Sequence, residues 1–367
     1  MGNQSPRVSI GLPVHNGDNY LAAALDALLG QSFGDFELII SDNASDDGTQ
    51  DICQRYAAAD ARIRYERLDE NVGAIPNFNR VFRLSRGEFF KWAAHDDVCQ
   101  PTFLQRCVEI LDQHPEVIWC HSTSDMIDAE GRSWVDQLPE NVEPLGRQAD
   151  GTLWWKGLPR SDFDAPQPHR RFAGVLLGTN WCVDSYGLIR SSALRQTDLL
   201  APIYGSEKVL IGQLALQGKY MQARECLFAQ RIHAEASSSL EGAAAEQLFI
   251  AQGSRNSFLR TRRLLLKAHC RAVRTSGLSC WDKLKCYGVV LRYMLQLRKW
   301  GKLVRKLVQG GGVGGDGRRM LAARRPRANA SRWSIDNEPA RHESARHESA
   351  RQGKGGAGGE RPADKRA

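Results

Sequence analysis

Among its nine cysteines the chain has no C-x-x-C pair, and nine is an odd number. Both facts argue against a zinc knuckle or a closed disulfide framework and favour a reducing compartment. No uncharged apolar run approaches the ~20 residues needed to cross a bilayer. The N-terminus leads almost directly into a candidate strand, without the charged leader and apolar stretch of a secretory signal. In Met1-Gly2-Asn3-Gln4-Ser5-Pro6, Pro6 stands where a myristoylation signal wants Ser or Thr. The expected address is cytoplasmic, with the inner face of the membrane as the alternative. Acid is scarcest in one stretch: residues 255–308 hold 15 Lys and Arg against a single acidic residue, Asp282.

What is present is an acidic body with a basic extension. Residues 1–254 hold 22 Lys and Arg against 34 Asp and Glu, a balance of −12. Residues 255–308 carry +14 and residues 309–367 carry +6. Such asymmetry bears on partners rather than on fold. In the body, apolar strand patterns at 7–14, 36–41, 63–67, 89–95 and 117–120 alternate with helical spacing at 20–29, 46–56, 77–84 and 101–113. That alternation predicts βαβ units and a mainly parallel sheet flanked by helices. From 129 to 170 the alternation stops, as expected of a substrate-binding insertion. Strands are expected near 175–180 and 185–190, and an amphipathic helix over 207–217. The chain is expected to be helical after about 236. From Gly310 glycines and a repeat of Ala-Arg-His-Glu-Ser (340–344, then 345–349) predict a disordered tail.

The stretch from Phe89 reads as a mostly apolar strand that ends abruptly in the adjacent carboxylates Asp96 and Asp97. Two ionised carboxylates repel and are costly to desolvate, so the pair suits the mouth of a sheet, where a divalent cation or solvent neutralises it. The competing expectation is a solvated turn ahead of the next helix. Asp42 also ends a strand, where it can accept from a base N–H or a ribose hydroxyl, or cap its own loop. Asp46 and Asp47 precede Gly48-Thr49 and read as helix caps.

Taken together these segments resemble the family 2 glycosyltransferases. The matching points are Leu12-Pro13-Val14-His15-Asn16, Ser41-Asp42-Asn43-Ala44-Ser45-Asp46-Asp47-Gly48-Thr49, Asn71-Val72-Gly73 with Asn79, and His95-Asp96-Asp97. The resemblance covers residues 6–130 well and 170–235 thinly. It implies a GT-A, Rossmann-like fold. The nucleotide-sugar half would span 1–128 and the acceptor half 129–238, followed by a basic helical region at 239–308 and the tail at 309–367. It implies a donor site of Pro13, Val14, Asn16, Asp42, Asn71, Gly73, Asn79, Asp96 and Arg231. It also implies a Mg²⁺ or Mn²⁺ cofactor held by Asp96, Asp97 and His233, and Glu207 as the base of an inverting transfer. The family form is Asp-x-Asp-Asp, and Ala94 departs from it. Asp184 is the next candidate for the base. Trp154, Trp155 and Trp181 flank the acceptor half as stacking platforms or core residues.

The implied function is transfer of a sugar from a nucleotide-diphosphate donor to a hydroxyl acceptor, glycan or lipid-linked. A non-catalytic module keeping the fold is one alternative, with Ala94 its support. A sugar nucleotidyltransferase is another, but it wants a Gly-rich basic loop after the first strand that is missing here. The 255–308 segment interleaves its cations with Leu, Val, Met, Tyr and Trp at helical spacing. That suits peripheral membrane contact, or a helical lobe packed on the body, better than nucleic acid, for which no recognition motif accompanies the charge.

Overall fold

Val8–Val14 is β1, buried at all seven positions. A strand covered on both faces can be apolar throughout, which is the parallel-sheet pattern read in the sequence. In the computed structural model, residues 5–133, 163–179, 182–233 and 258–295 are described, with the backbone of two short strands at 146–147 and 153–154. After β1 come α1 (Leu21–Leu29), β2 (Phe36–Asp42), α2 (Thr49–Ala59), β3 (Ile63–Arg67), α3 (Ala74–Arg83), β4 (Phe89–Trp92) and β5 (Val98–Cys99). Next are α4 (Phe103–Gln113), β6 (Val117–Ile127), β7 (Gly146–Arg147), β8 (Leu153–Trp154), α5 (Pro168–Ala173) and β9 (Leu188–Arg190). They are followed by α6 (Ser191–Leu194), α7 (Ser206–Gln217), β10 (Lys219–Arg231), α8 (Phe258–Thr275) and α9 (Cys280–Met294).

Eight strands form one mixed sheet in the order β3-β2-β1-β4-β9-β6-β10-β5. The β3-β2-β1-β4 half is parallel, and β6 and β10 are parallel to each other. Antiparallel β9 joins β4 to β6, and β5 lies antiparallel against β10. The two expected halves therefore share a single sheet. Alternation along β4 divides the core, since successive side chains leave opposite faces. Phe89 packs with Leu21, Leu25 and Phe103 from α1 and α4. Phe90 and Trp92 point the other way, towards Leu210 and Leu214 of α7 and Val273 and Val290 of α8 and α9.

Two expectations change, and one strand is added. Residues 174–178 form a π-helical turn rather than a strand. The helix over 206–217 is buried nearly all round instead of amphipathic, because it lies inside the second core with Val209, Leu210, Ile211, Leu214, Ala215 and Leu216 all covered. Lys219–Arg231, to which the sequence reading assigned no element, is the longest strand of the sheet. Its pairing with β6 shifts register at three places, so it never shows the clean alternation that marks a strand. Trp155, Trp181 and residues 296–367 lie outside the described residues, as does the side chain of Trp154.

Candidate active site

Strands β1, β2, β4, β6 and β10 all run the same way, so their C-terminal ends open on one edge of the sheet. That edge is where open α/β sheets bind ligands. The loop after β1 is stitched to the loop after β2. The Asn16 amide donates to Asp46 Oδ1 at 2.6 Å and its Oδ1 accepts the Asp46 N–H at 3.0 Å. Gly17 N–H donates to Thr49 Oγ1 at 2.9 Å, and Asp18 N–H to Asp47 Oδ2 at 3.1 Å. Asn16 adopts a left-handed backbone (φ 52°) to make this turn. Gly17 has no room for a side chain: a Cβ there would lie 2.7 Å from the His95 ring and 2.8 Å from Val14. Asp46 and Asp47 thus serve the loops, as expected. Burial opposes ionisation of Asp47, but hydrogen bonds from Thr49 and Asp18 hold its carboxyl below its ordinary value.

Asp42 is fully buried, with Oδ1 accepting from Ser45 N–H at 2.9 Å and Oδ2 from the Tyr65 hydroxyl at 2.8 Å. Arg67 Nε lies 3.5 Å away. This carboxylate caps its own loop, one of the two tasks read for it in the sequence. Pro13 and Val14 end β1 beside Ser41 and Asp42. Asn43 gathers the third loop: its amide donates to Asn71 Oδ1 at 2.8 Å and its oxygen accepts the Val72 N–H at 2.9 Å. Asn71 also meets His15 Nε2 at 3.0 Å, and Gly73 (φ 90°) supplies the left-handed turn into α3. Asn79, expected at the donor, is instead a tie between halves. Its amide donates to the Leu200 carbonyl at 2.8 Å and its oxygen accepts the Leu200 N–H at 3.1 Å.

The two carboxylates after β4 part company. Asp96 Oδ2 lies 3.1 Å from His233 Nε2, just beyond the end of β10. Burial works against ionisation of Asp96, yet the bond from His233 and the positive character of His95 and His233 keep its carboxyl below the ordinary value. Asp97 turns inward and accepts the Arg231 N–H at 3.0 Å. Burial and then the neighbouring Asp96 charge push its carboxyl well up. Asp97 thus lies beside Asp96 with its Oδ1 on the Arg231 peptide. The Arg231 side chain holds the same turn. Its Nε donates to the Asp96 carbonyl and its Nη1 to the carbonyls of Asp128 and Ala129, all at 3.0–3.1 Å. Its guanidinium also covers the Tyr20 ring at 4.6 Å, so it braces the site. Tyr20 packs in turn against His233, with ring centroids 4.8 Å apart.

Among the described residues no three His, Cys, Asp or Glu side chains converge on a metal position. The Asp96–His233 pair alone offers an oxygen and an imidazole, a donor set that suits Mg²⁺ or Mn²⁺ when substrate phosphates complete the shell. Glu207 stands in the first turn of α7, and burial raises its carboxyl above the ordinary value. Asp184, the alternative base, is 2% exposed and accepts from the Tyr220 hydroxyl at 3.0 Å, inside the core.

Two further residues were missed from sequence. Burial pushes the Tyr186 phenol well up and the carboxylates of Asp97, Asp96 and Glu207 add to it, so this side chain lies within electrostatic reach of all three. Lys91, fully buried, donates to the carbonyls of Tyr186 at 2.7 Å and Trp92 at 3.1 Å and covers the Phe103 and Phe228 rings. A lone lysine inside Phe-Phe-Lys-Trp was the signal for it.

Residues 9–165 match the family model described as glycosyl transferase family 2. An uncharacterized glycosyltransferase of Rickettsia prowazekii, RP339, is 33% identical over 139 residues, covering 37% of this chain and 42% of that protein. The putative teichuronic acid biosynthesis glycosyltransferase TuaG of Bacillus subtilis is 33% identical over 111 residues, covering 30% and 44%. The putative glycosyltransferase EpsE of the same organism is 30% identical over 156 residues, covering 42% and 56%. The matched region thus spans well under two thirds of these relatives. Among solved structures, S. aureus TarS 1–349 in complex with UDP-GlcNAc is similar, with TM-score 0.52 and 17% identity over 76% of this chain and 69% of that one. S. aureus TarS gives TM-score 0.50 and 15% identity over 79% and 44%. This likeness is one of fold, GT-A.

Proposed function

From the match of residues 9–165 to the glycosyl transferase family 2 model, we propose that this chain moves a sugar from a nucleotide-diphosphate donor to a hydroxyl acceptor, with inversion. The observation that carries the reading is the Asp96–His233 pair, 3.1 Å apart at the open edge of the sheet. A divalent cation bound there with the donor diphosphate would supply Lewis-acid stabilisation of the leaving group. Asp96 contributes the charged oxygen of that site and His233 holds the oxygen in place. Tyr20 packs on the His233 ring, and Arg231 fixes the backbone at Asp96. The stitched loops after β1 and β2 form a preorganised wall for the nucleoside.

On the acceptor side, Glu207 takes the proton from the attacking hydroxyl. A carboxylate raised by burial is the stronger base, which suits the task. The donor class suggested for trial is a UDP-sugar, since TarS was crystallised with UDP-GlcNAc. The acceptor is a glycan or a lipid-linked sugar, in line with the teichuronic acid biosynthesis in the name of TuaG. Contact with the inner membrane face through the basic segment would bring such an acceptor within reach. Thermal-shift measurements with UDP-, GDP- and dTDP-sugars, with and without Mn²⁺, test the donor site. One nucleotide is expected to raise the midpoint in a metal-dependent way, and Asp96→Ala or His233→Ala to abolish the shift. Folded protein that shifts with no donor would refute the transferase reading and favour a binding module.

A further inference from the structure

Helix α9 has two apolar faces, and the fold uses one of them. Cys286, Val290 and Tyr293 are buried in the second core, which seats the helix against the body. On the opposite side Trp281, Leu284, Leu291 and Leu295 are 60–65% exposed. At the helical rotation of about 100° per residue, these four lie within an arc of about 80°. Lys285 and Arg292 border that arc. Scattered exposed leucines need no explanation, but an aligned stripe led by a tryptophan does.

The charge around the stripe points to its occupant. Over residues 258–295 there are nine Lys and Arg (260, 262, 263, 267, 271, 274, 283, 285 and 292) against Asp282 alone. The partner is therefore anionic. A second copy meeting this face through a two-fold axis would set one basic helix against another, which is unfavourable. The stripe lies along a single helix, and a narrow apolar row bordered by cations is the arrangement that lies in a lipid interface. Tryptophan, apolar with one polar edge, suits the headgroup level.

We propose that α9 docks the chain on an anionic lipid surface, with Trp281, Leu284, Leu291 and Leu295 entering the acyl boundary and Lys285 and Arg292 meeting the phosphates. The purpose of docking, delivery of a lipid-borne acceptor, rests on the proposed function; the docking does not. The inner face of the same helix reaches the catalytic half: Lys208, next to Glu207, places its ammonium 5.7 Å from the centre of the Tyr293 ring. A docked α9 is thus packed directly on the start of α7.

Co-sedimentation of the full chain with vesicles tests this. One set is phosphatidylcholine and the other an equal mixture with phosphatidylglycerol. The wild type is expected to partition onto the mixed vesicles and to be released by salt. Trp281→Ser/Leu284→Ser/Leu291→Ser is expected to weaken partition at least about tenfold. Those side chains are exposed, so the fold should stand. Should that variant fail to fold, Lys285→Glu/Arg292→Glu is expected to lose the preference for the mixed vesicles. The proposal is overturned by absent binding, by equal binding of wild type and variants, or by a solution dimer that the triple variant dissociates. Donor-induced thermal shift in the same preparations separates the two readings. Vesicle binding without any donor shift would sink the transferase and leave the docking, while the reverse would sink only the docking.

Discussion

Asp96 and Asp97 are neighbours in the chain with opposite electrostatic fates. His233 holds Asp96 ionised at the mouth of the sheet, whereas Asp97 is buried with the Arg231 N–H on its Oδ1. An amide oxygen can accept that bond as well as a carboxyl, so Asp97→Asn should keep the denaturation midpoint close to wild type. Asp97→Ala leaves a buried N–H unpaired and should cost about 1–3 kcal/mol. If Asp97→Asn instead removed metal-dependent donor binding as fully as Asp96→Ala, Asp97 would be a ligand after all. Glu207 allows a sharper test. Its raised value means that the base form appears only as pH rises past the ordinary glutamate range, so the acid limb of kcat/KM should lie at correspondingly higher pH. Glu207→Gln should remove that limb and lower kcat by ~10²–10⁴-fold. The stability sign is opposite. A carboxyl raised by folding favours the fold at low pH and loses that contribution as pH rises through the raised value. Glu207→Gln should therefore melt no lower than wild type at neutral pH, which separates lost chemistry from lost structure. At this scale the Asp96-Asp97 pair stood out as charge at a strand end, while His233 and Glu207 came from the family resemblance. It could not say which way Asp97, Asp42 or Arg231 points, since that depends on partners as distant in the chain as Asp97 and Arg231.

The elements repeat this contrast. β1, β2 and β4 were legible because a strand buried on both faces is a plain apolar run, and Asn16-Gly17-Asp18-Asn19 marks the turn that follows β1. β10 was not, because its register shifts break the pattern. The turn at 174–178 was mistaken for a strand because Val175-Leu176-Leu177 is too short for periodicity to choose between the two. α3 shows what an element can do beyond packing: Asn79 fastens it to Leu200, ahead of the helix that carries Glu207. Asn79→Ala should lower stability by about 1–3 kcal/mol, because two buried backbone groups lose their partner. Isothermal titration should find donor affinity in that variant within about twofold of wild type. A large loss of affinity in a normally stable protein would return Asn79 to the donor site.

For the whole molecule, charge and topology divide the labour. The acidic body holds the sheet and the open edge, and the basic helices α8 and α9 add a covered face to the core and a bare one to solvent. Topology also governs how the chain must be made. β4 needs β9 as its second partner, yet Leu188 follows Trp92 by 96 residues. At a synthesis speed of about 5–20 residues per second, the edge of β4 waits about 5–20 seconds on the ribosome before the strand that covers it emerges. Through that interval Phe90 and Trp92 have Phe82 of α3 against them but lack the cover of α7, α8 and α9, so the nascent chain is expected to be a client for holdase chaperones. Fragments ending at 165 should stay in that state, because the strand that relieves it is never translated.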